Sequence, residues 1–248
     1  IALKDQYSDV RTAIELGGQD AKMIFFRKDS NTGDLTVADM RMNGSCAGGT
    51  GAFIDEIASL LRVPVEEFND LASKGTCVYD ISGRCGVYAK TDIQPLLNQG
   101  IAKEDIALSS LHAIAKQTIG GLAQGLDIEK PVAFEGGPMT FQPTLVKVFA
   151  ERLNLSEEDM ILPEHPEIMI AYGTALSIPQ MFEQEAKTLS IRQMCQRIEK
   201  EMEMLTPESS CFFNNTVINH FTFLLKRSCH TCKSTMGTKI KSFIFLHR

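Results

Sequence analysis

Three glycine pairs, Gly17-Gly18, Gly48-Gly49 and Gly136-Gly137, each follow a strand-like run, and together they set the plan of this chain. Thr12–Leu16 is a short apolar run ended by the first pair. Lys22–Arg27 is a second run, Asn31-Thr32-Gly33-Asp34 is a turn signal, and Leu35–Met42 reads as a third strand. Three strands joined by short turns form an antiparallel meander. The second pair leads into a helix over Thr50–Leu61, with Phe53, Ile54, Ile57, Leu60 and Leu61 as its apolar face. Pro64 starts another helix that ends near Lys74-Gly75, and residues 76–86 read as irregular. Helices are expected over Ala89–Gln99 and Lys103–Leu126, then a buried strand at Pro131–Glu135 closed by the third pair. A helix at Gln142–Leu153, a short strand at Met160–Leu162 and a helix near Ile168–Leu176 complete the order. A meander followed by βα crossovers predicts an α/β fold, a ribonuclease-H-like mixed sheet with flanking helices. Ligands of open α/β sheets bind at the carboxyl ends of strands, so the three glycine loops would lie at one end and outline a nucleotide cleft.

Residues 1–180 are expected to form this domain. Residues 181–205 continue as a charged helix over Glu183–Leu205, and 206–248 form an atypical tail. Residues 205–248 carry six basic side chains and one acidic one, with no sustained period, and no structure is assigned to them. The net charge of -6 gives no reason to expect nucleic acid or an anionic membrane as partner. No run of about 18 apolar residues appears, and the N-terminus does not read as a signal peptide. Seven scattered cysteines without secreted-scaffold spacing favour a reducing cytoplasm. The chain opens without Met and almost directly on a strand, and is expected to be one module of a longer protein.

Chemistry concentrates in three motifs. In Asn43-Gly44-Ser45-Cys46-Ala47-Gly48-Gly49-Thr50-Gly51, a cysteine sits in a glycine-rich loop that runs into a helix. Glycines let a backbone approach an anion, and the first N–H groups of a helix carry the positive end of its dipole. A thiolate is stabilised there, so the loop suits phosphate, an anionic metal cluster, or both. In Glu15-Leu16-Gly17-Gly18-Gln19-Asp20-Ala21-Lys22, a tight hairpin turns its amides towards a phosphate, and Gln19 or Asp20 would hold a water or Mg²⁺. An ordinary polar hairpin would carry the same residues. Glu135-Gly136-Gly137-Pro138 is the third, equally compatible alone with a structural turn. Cys85, before Gly86, also precedes a helix start. Two cysteines do not complete a four-thiolate iron–sulfur site, but a symmetric dimer giving two from each subunit would. Cys77 is assigned to packing, His112 to a helix face and Lys90 and Lys116 to solvent, while the lone Cys229-His230-Thr231-Cys232 reads as incidental.

Five motifs in order, Glu15–Lys22, Asn43–Phe53, Cys85–Asp92, Gly136–Pro138 and Ala171–Leu176, resemble the ATP-dependent activators of 2-hydroxyacyl-CoA dehydratases and the related ATPase subunits of benzoyl-CoA reductases. The wording of Asn43–Gly51 resembles most the large fused activase-like proteins. The resemblance covers roughly residues 10–180 and implies the actin, sugar-kinase and heat-shock-chaperone ATPase superfold, of which this chain would be the second domain with the first largely missing. It implies a cytoplasmic homodimer holding one [4Fe-4S] cluster through Cys46 and Cys85 of each subunit. Gly17, Gly18, Gln19, Asp20 and Lys22 match its second phosphate loop for ATP/ADP and Mg²⁺, Gln19 and Asp20 being the catalytic candidates. Gly136, Gly137 and Pro138 match its adenosine loop, and Gly48, Gly49, Thr50 and Gly51 fall on the nucleotide side of the cysteine loop. The implied partners are a dehydratase or related reductase and a ferredoxin- or flavodoxin-type electron donor. A sugar-kinase-like phosphotransferase and a non-catalytic dimerisation module are the alternative readings.

Overall fold

The computed structural model describes residues 1–44, 48–181 and a few positions between 190 and 200. The chain divides into two units, Ile1–Glu185 and Ala186–Arg248, and the elements below belong to the first. Most of the charged helix expected over Glu183–Leu205, the whole tail beyond it and its Cys-x-x-Cys lie outside the described residues.

The chain starts with a helix, α1 (Ala2–Gln6), where the sequence suggested an almost immediate strand; Ala2 and Leu3 are buried and hold it to the sheet. Then come β1 (Thr12–Leu16), β2 (Ala21–Lys28) and β3 (Leu35–Met42), the expected meander. α2 (Gly51–Leu61), α3 (Phe68–Ala72), α4 (Gly86–Asn98) and α5 (Lys103–Thr118) follow. The remainder is β4 (Val132–Glu135), α6 (Gly137–Phe141), α7 (Pro143–Leu153), β5 (Met160–Ile161) and α8 (Met169–Met181).

The strands form one five-stranded mixed sheet in the order β3-β2-β1-β4-β5. β1 pairs antiparallel with β2 and parallel with β4, so it lies at the centre, and all five of its residues are buried. A run that is covered on both faces has no polar side to show, which is why Thr12–Leu16 lacks alternation. The faces separate by the two-residue period of strands. Ile14, Leu16, Met23, Val132 and Phe134 point into a core shared with α2, α3, α4, α5 and α7. Ala13, Phe26 and Ala133 meet Ala2, Leu3 and Met169 of α1 and α8 on the opposite face.

Four boundaries depart from the sequence pattern for local reasons. The helix expected to reach Leu126 ends as an α-helix at Thr118 and widens into a π-turn over Ile119–Ala123, at the glycines Gly120 and Gly121. Glycine is a poor helix former, so the tighter ladder loses little there. Between β4 and α7, Gln142 leaves the helical region (φ -124°) because Pro143 disfavours helical geometry before it, and this divides α6 from α7. α4 begins three residues earlier than its apolar period suggested, directly after Cys85. After Pro64 a 3₁₀ turn at Val65–Glu67 precedes the short α3.

Phe134 of β4 and Phe149 of α7 are fully buried with ring centroids 5.8 Å apart, so this pair joins helix layer to sheet. Phe149→Ala is expected to lower unfolding free energy by about 3–5 kcal/mol, the range for truncating a buried aromatic. A urea midpoint equal to that of the parent chain would show that the α7 layer does not stabilise the sheet.

Candidate functional site

The β1–β2 hairpin closes through the Gly17 N–H, which donates to the Asp20 carbonyl at 2.7 Å. Gly18, Gln19 and Asp20 are exposed at its tip. Asn43, just past β3, clamps this turn: its Oδ1 accepts from the Ala21 N–H at 2.8 Å, and its own N–H donates to the Ala21 carbonyl at 3.0 Å. Its Nδ2 reaches the Gln19 carbonyl at 3.4 Å. The sequence marks this role of Asn43 only weakly. The only available signal was an amide side chain beside glycine at a strand end, which is common in turns.

The start of α2 is docked on the same hairpin. The Gly51 N–H donates to the Gly17 carbonyl at 2.9 Å and the Ala52 N–H to the Gly18 carbonyl at 2.7 Å. Two amides that the sequence suggested for an anion are therefore engaged inside the protein. A Cβ on Gly51 would lie 3.3 Å from Gly18 Cα and 3.4 Å from Pro138 Cγ, so the first and third glycine motifs meet at this residue. Gly136 adopts φ +97°, and a Cβ there would overlap the Leu16 carbonyl, so only glycine brings β4's end this close to β1. The structure thus gathers Gly17–Asp20, Gly51 and Gly136–Pro138 at the carboxyl ends of β1 and β4.

The other side of the cysteine loop faces a different element. Cys46, with Ser45 and Ala47, lies outside the described residues. Gly48, two residues on, packs so closely on the Gly83–Arg84 backbone that a Cβ would overlap the Arg84 carbonyl. Gly49 (φ +81°) lies against Thr118 of α5. Cys85 is the N-cap of α4, a half-buried free thiol in extended backbone (φ -162°, ψ 167°), and its side chain makes no capping hydrogen bond. A free thiol at the positive end of a 13-residue helix suits thiolate ligation. Among the described residues no three His, Cys, Asp or Glu side chains gather as a metal site.

The sheet face towards α1 and α8 carries charge that no single segment announces. Glu15 and Glu135 are register partners across β1 and β4, and Lys22 is the partner of Glu15 across β2. Lys22 Nζ pairs with the buried Glu15 Oε2 at 2.8 Å, which commits this proposed phosphate cation to a carboxylate. Glu135 is pushed up to about 7, first by burial and then by the Glu15 carboxylate. Both residues looked like ordinary strand positions because cross-strand register is invisible in one segment.

Of the remaining residues, Cys77 is exposed, contrary to its assignment as packing, because the loop that carries it runs over the surface; Asp105 accepts from its N–H at 3.0 Å. Lys116 is exposed and paired with Asp80 at 2.9 Å, and Lys90 is exposed. His112 is half-buried on α5, and burial, then Arg152, lowers its pKa below the usual histidine value. Among the described residues no helix is long and apolar enough to cross a membrane.

A model of the BadF/BadG/BcrA/BcrD ATPase family matches residues 1–176. The 2-hydroxyisocaproyl-CoA dehydratase activator of Clostridioides difficile is 30% identical over 168 residues, 68% of this chain and 59% of that protein. The (R)-2-hydroxyglutaryl-CoA dehydratase activating ATPase of Acidaminococcus fermentans is 34% identical over 131 residues, 53% of this chain and 48% of that protein. Among solved structures, the activator of the 2-hydroxyisocaproyl-CoA dehydratase from Clostridium difficile with bound ADPNP superposes with a TM-score of 0.59 at 26% identity. That match covers 76% of this chain and 68% of the other. The chain spans 59% and 48% of the length of the two curated relatives.

A raised native pKa means that the folded state holds a proton that the unfolded chain has released. Glu135 therefore removes stability as pH rises from its unfolded value of 4.5 towards about 7. Glu135→Gln is expected to be roughly 1–3 kcal/mol more favourable, relative to the parent, at pH 8 than at pH 5. Denaturant unfolding at the two pH values measures this, and a pH-independent difference would refute the buried-carboxylate assignment.

Proposed function

We propose that this chain, which belongs to the BadF/BadG/BcrA/BcrD ATPase family, is the cluster-bearing part of an ATPase that delivers one low-potential electron to a 2-hydroxyacyl-CoA dehydratase or a related acyl-CoA reductase. The five-stranded sheet is then the second, ribonuclease-H-like domain of an actin-like ATPase, working in the cytoplasm. Gly17–Asp20 and Gly136–Pro138 form one wall of the nucleotide cleft, with Gln19 and Asp20 at the exposed tip where a Mg²⁺-bound phosphate would lie. Lys22 contributes by holding Glu15 rather than as a free cation.

Cys46 and Cys85 supply two thiolates, and a second copy supplies two more, which makes the four-thiolate set of a [4Fe-4S] cluster. When bound, that cluster supplies the one-electron chemistry, refilled by a ferredoxin- or flavodoxin-type donor. The chain's own residues couple it to the nucleotide. The observation that carries this reading is that Gly48–Ala52 bridges two elements: Gly48 lies on Arg84, next to Cys85, while Gly51 and Ala52 are bonded to Gly17 and Gly18. A shift of the hairpin on nucleotide binding is transmitted along this stretch to the cysteine side.

Anaerobic reconstitution is expected to give brown protein with about four irons per dimer and visible absorption that air bleaches. The Cys46→Ala, Cys85→Ala double variant is expected to hold no cluster iron. Colourless parent protein, or full iron content in the double variant, would sink the cluster assignment. Separately, ADPNP is expected to slow amide exchange at Gly17–Asp20 and Gly136–Pro138, and exchange unaltered in both segments at saturating nucleotide would remove the nucleotide assignment.

A further inference from the structure

Glu56 sits on α2, five residues beyond the hairpin-bonded Gly51, yet its carboxylate lies against another helix. A Cβ built on Gly86, the first residue of α4, would overlap Glu56 Oε2 and Cδ. α4 has no acidic residue in its own first turn, and its N-cap, Cys85, makes no capping hydrogen bond. The negative charge at the positive end of α4 is thus provided from α2. Gly86 is buried, and its lack of a side chain is what admits the carboxylate. Lys90, one turn further along α4, lines the same groove with Asp55, Ser59 and Leu60. Val87 and Tyr88, on the first turn of α4, are 71% and 58% exposed.

Two physical effects follow from this seat. An acidic group beside the unpaired N–H groups of a first turn stabilises that turn. The same charge opposes the field of the helix end. An unopposed helix N-terminus favours the more negative, reduced state of anything ligated there, and a carboxylate beside it favours the oxidised state. Because α2 is bonded to the Gly17-Gly18 hairpin at its start, a displaced hairpin also displaces this charge.

We propose that Glu56 is a positioning residue for electron delivery: it holds the first turn of α4 and, by its charge against Gly86, the residue after Cys85, lowers the potential of the group that Cys85 ligates. This inference rests on the cluster reading above and adds to it the residue that tunes the cluster.

The test compares the parent chain with Glu56→Gln, which keeps shape and removes charge, and with Gly86→Ala, which pushes the carboxylate off its seat. In the iron-free chain, amide exchange at Val87–Lys90 is expected to quicken in both variants. In the reconstituted protein, iron content is expected to match the parent for Glu56→Gln. Its reduced fraction at a fixed applied potential, read by electron paramagnetic resonance, is expected to rise about three- to tenfold, the scale of one partly screened charge several ångströms away. An unchanged reduced fraction with full iron overturns the inference and leaves the cluster reading standing. Faster exchange with an unchanged reduced fraction reduces Glu56 to a helix cap, which also overturns it. Absence of iron from the parent chain overturns both.

Discussion

Two hydrogen bonds organise this domain, from the Gly51 and Ala52 amides at the start of α2 to the Gly17 and Gly18 carbonyls of the β1–β2 hairpin. The first amides of a helix have no partner within it and must find one elsewhere. Here they find the exposed carbonyls of a glycine turn, so a helix end and a hairpin tip satisfy each other. Gly51 is pressed between Gly18 and Pro138, and any larger residue would part them. Gly48 and Gly49, just before α2, then lie against Arg84 and Thr118. The body of α2 then carries Glu56 to Gly86, at the head of α4.

The two faces of the sheet divide the work. The face under α2, α3, α4, α5 and α7 is predominantly apolar, with Phe134 and Phe149 joining sheet to helix, and its polar Thr12 is satisfied by the Glu129 carbonyl at 2.9 Å. The face under α1 and α8 is apolar at Ala13 and Ala133 but carries Glu15, Lys22 and Glu135 two residues further along the strands. Burying a row with two carboxylates costs stability, because the row's ammonium, Lys22, is paired with Glu15 and burial disfavours the charge of Glu135. The pKa of Glu135, raised to about 7, records that cost. The strain lies immediately before Gly136, at the end of the sheet where the glycine loops converge.

Periodicity and glycine placement made much of this legible in advance. The meander, the α2 stripe and the order of β4, α7, β5 and α8 follow from apolar spacing in single segments, and each matches the structure closely. The misses share a cause. α1 is held by packing on α8, where Gly173 lies 3.3 Å from a backbone atom of Ala2 once a Cβ is built, and nothing local to Ala2–Gln6 announces that. The π-turn after Thr118 and the break at Gln142 arise from Gly120-Gly121 and Pro143, whose presence is visible but whose outcome depends on what the backbone packs against. Within the site, Gly17, Gly51 and Gly136 could be read as turn or approach residues, while Asn43, Glu15, Glu135 and Glu56 could not, because their partners lie on other elements.

What the sequence by itself determined is therefore the set of local commitments: which runs become strands and helices, where glycine must stand, and that Cys46 and Cys85 each precede a helix start. Those follow from side-chain size, period and backbone freedom, all properties of neighbouring residues. Only the tertiary structure decided which loops meet. It spent the α2 amides on the hairpin rather than leaving them for an anion, paired Lys22 with Glu15, and set Glu56 at the head of α4. Such pairings depend on cross-strand register and on the angle at which a helix returns to its sheet, and neither is written in any one segment of the chain.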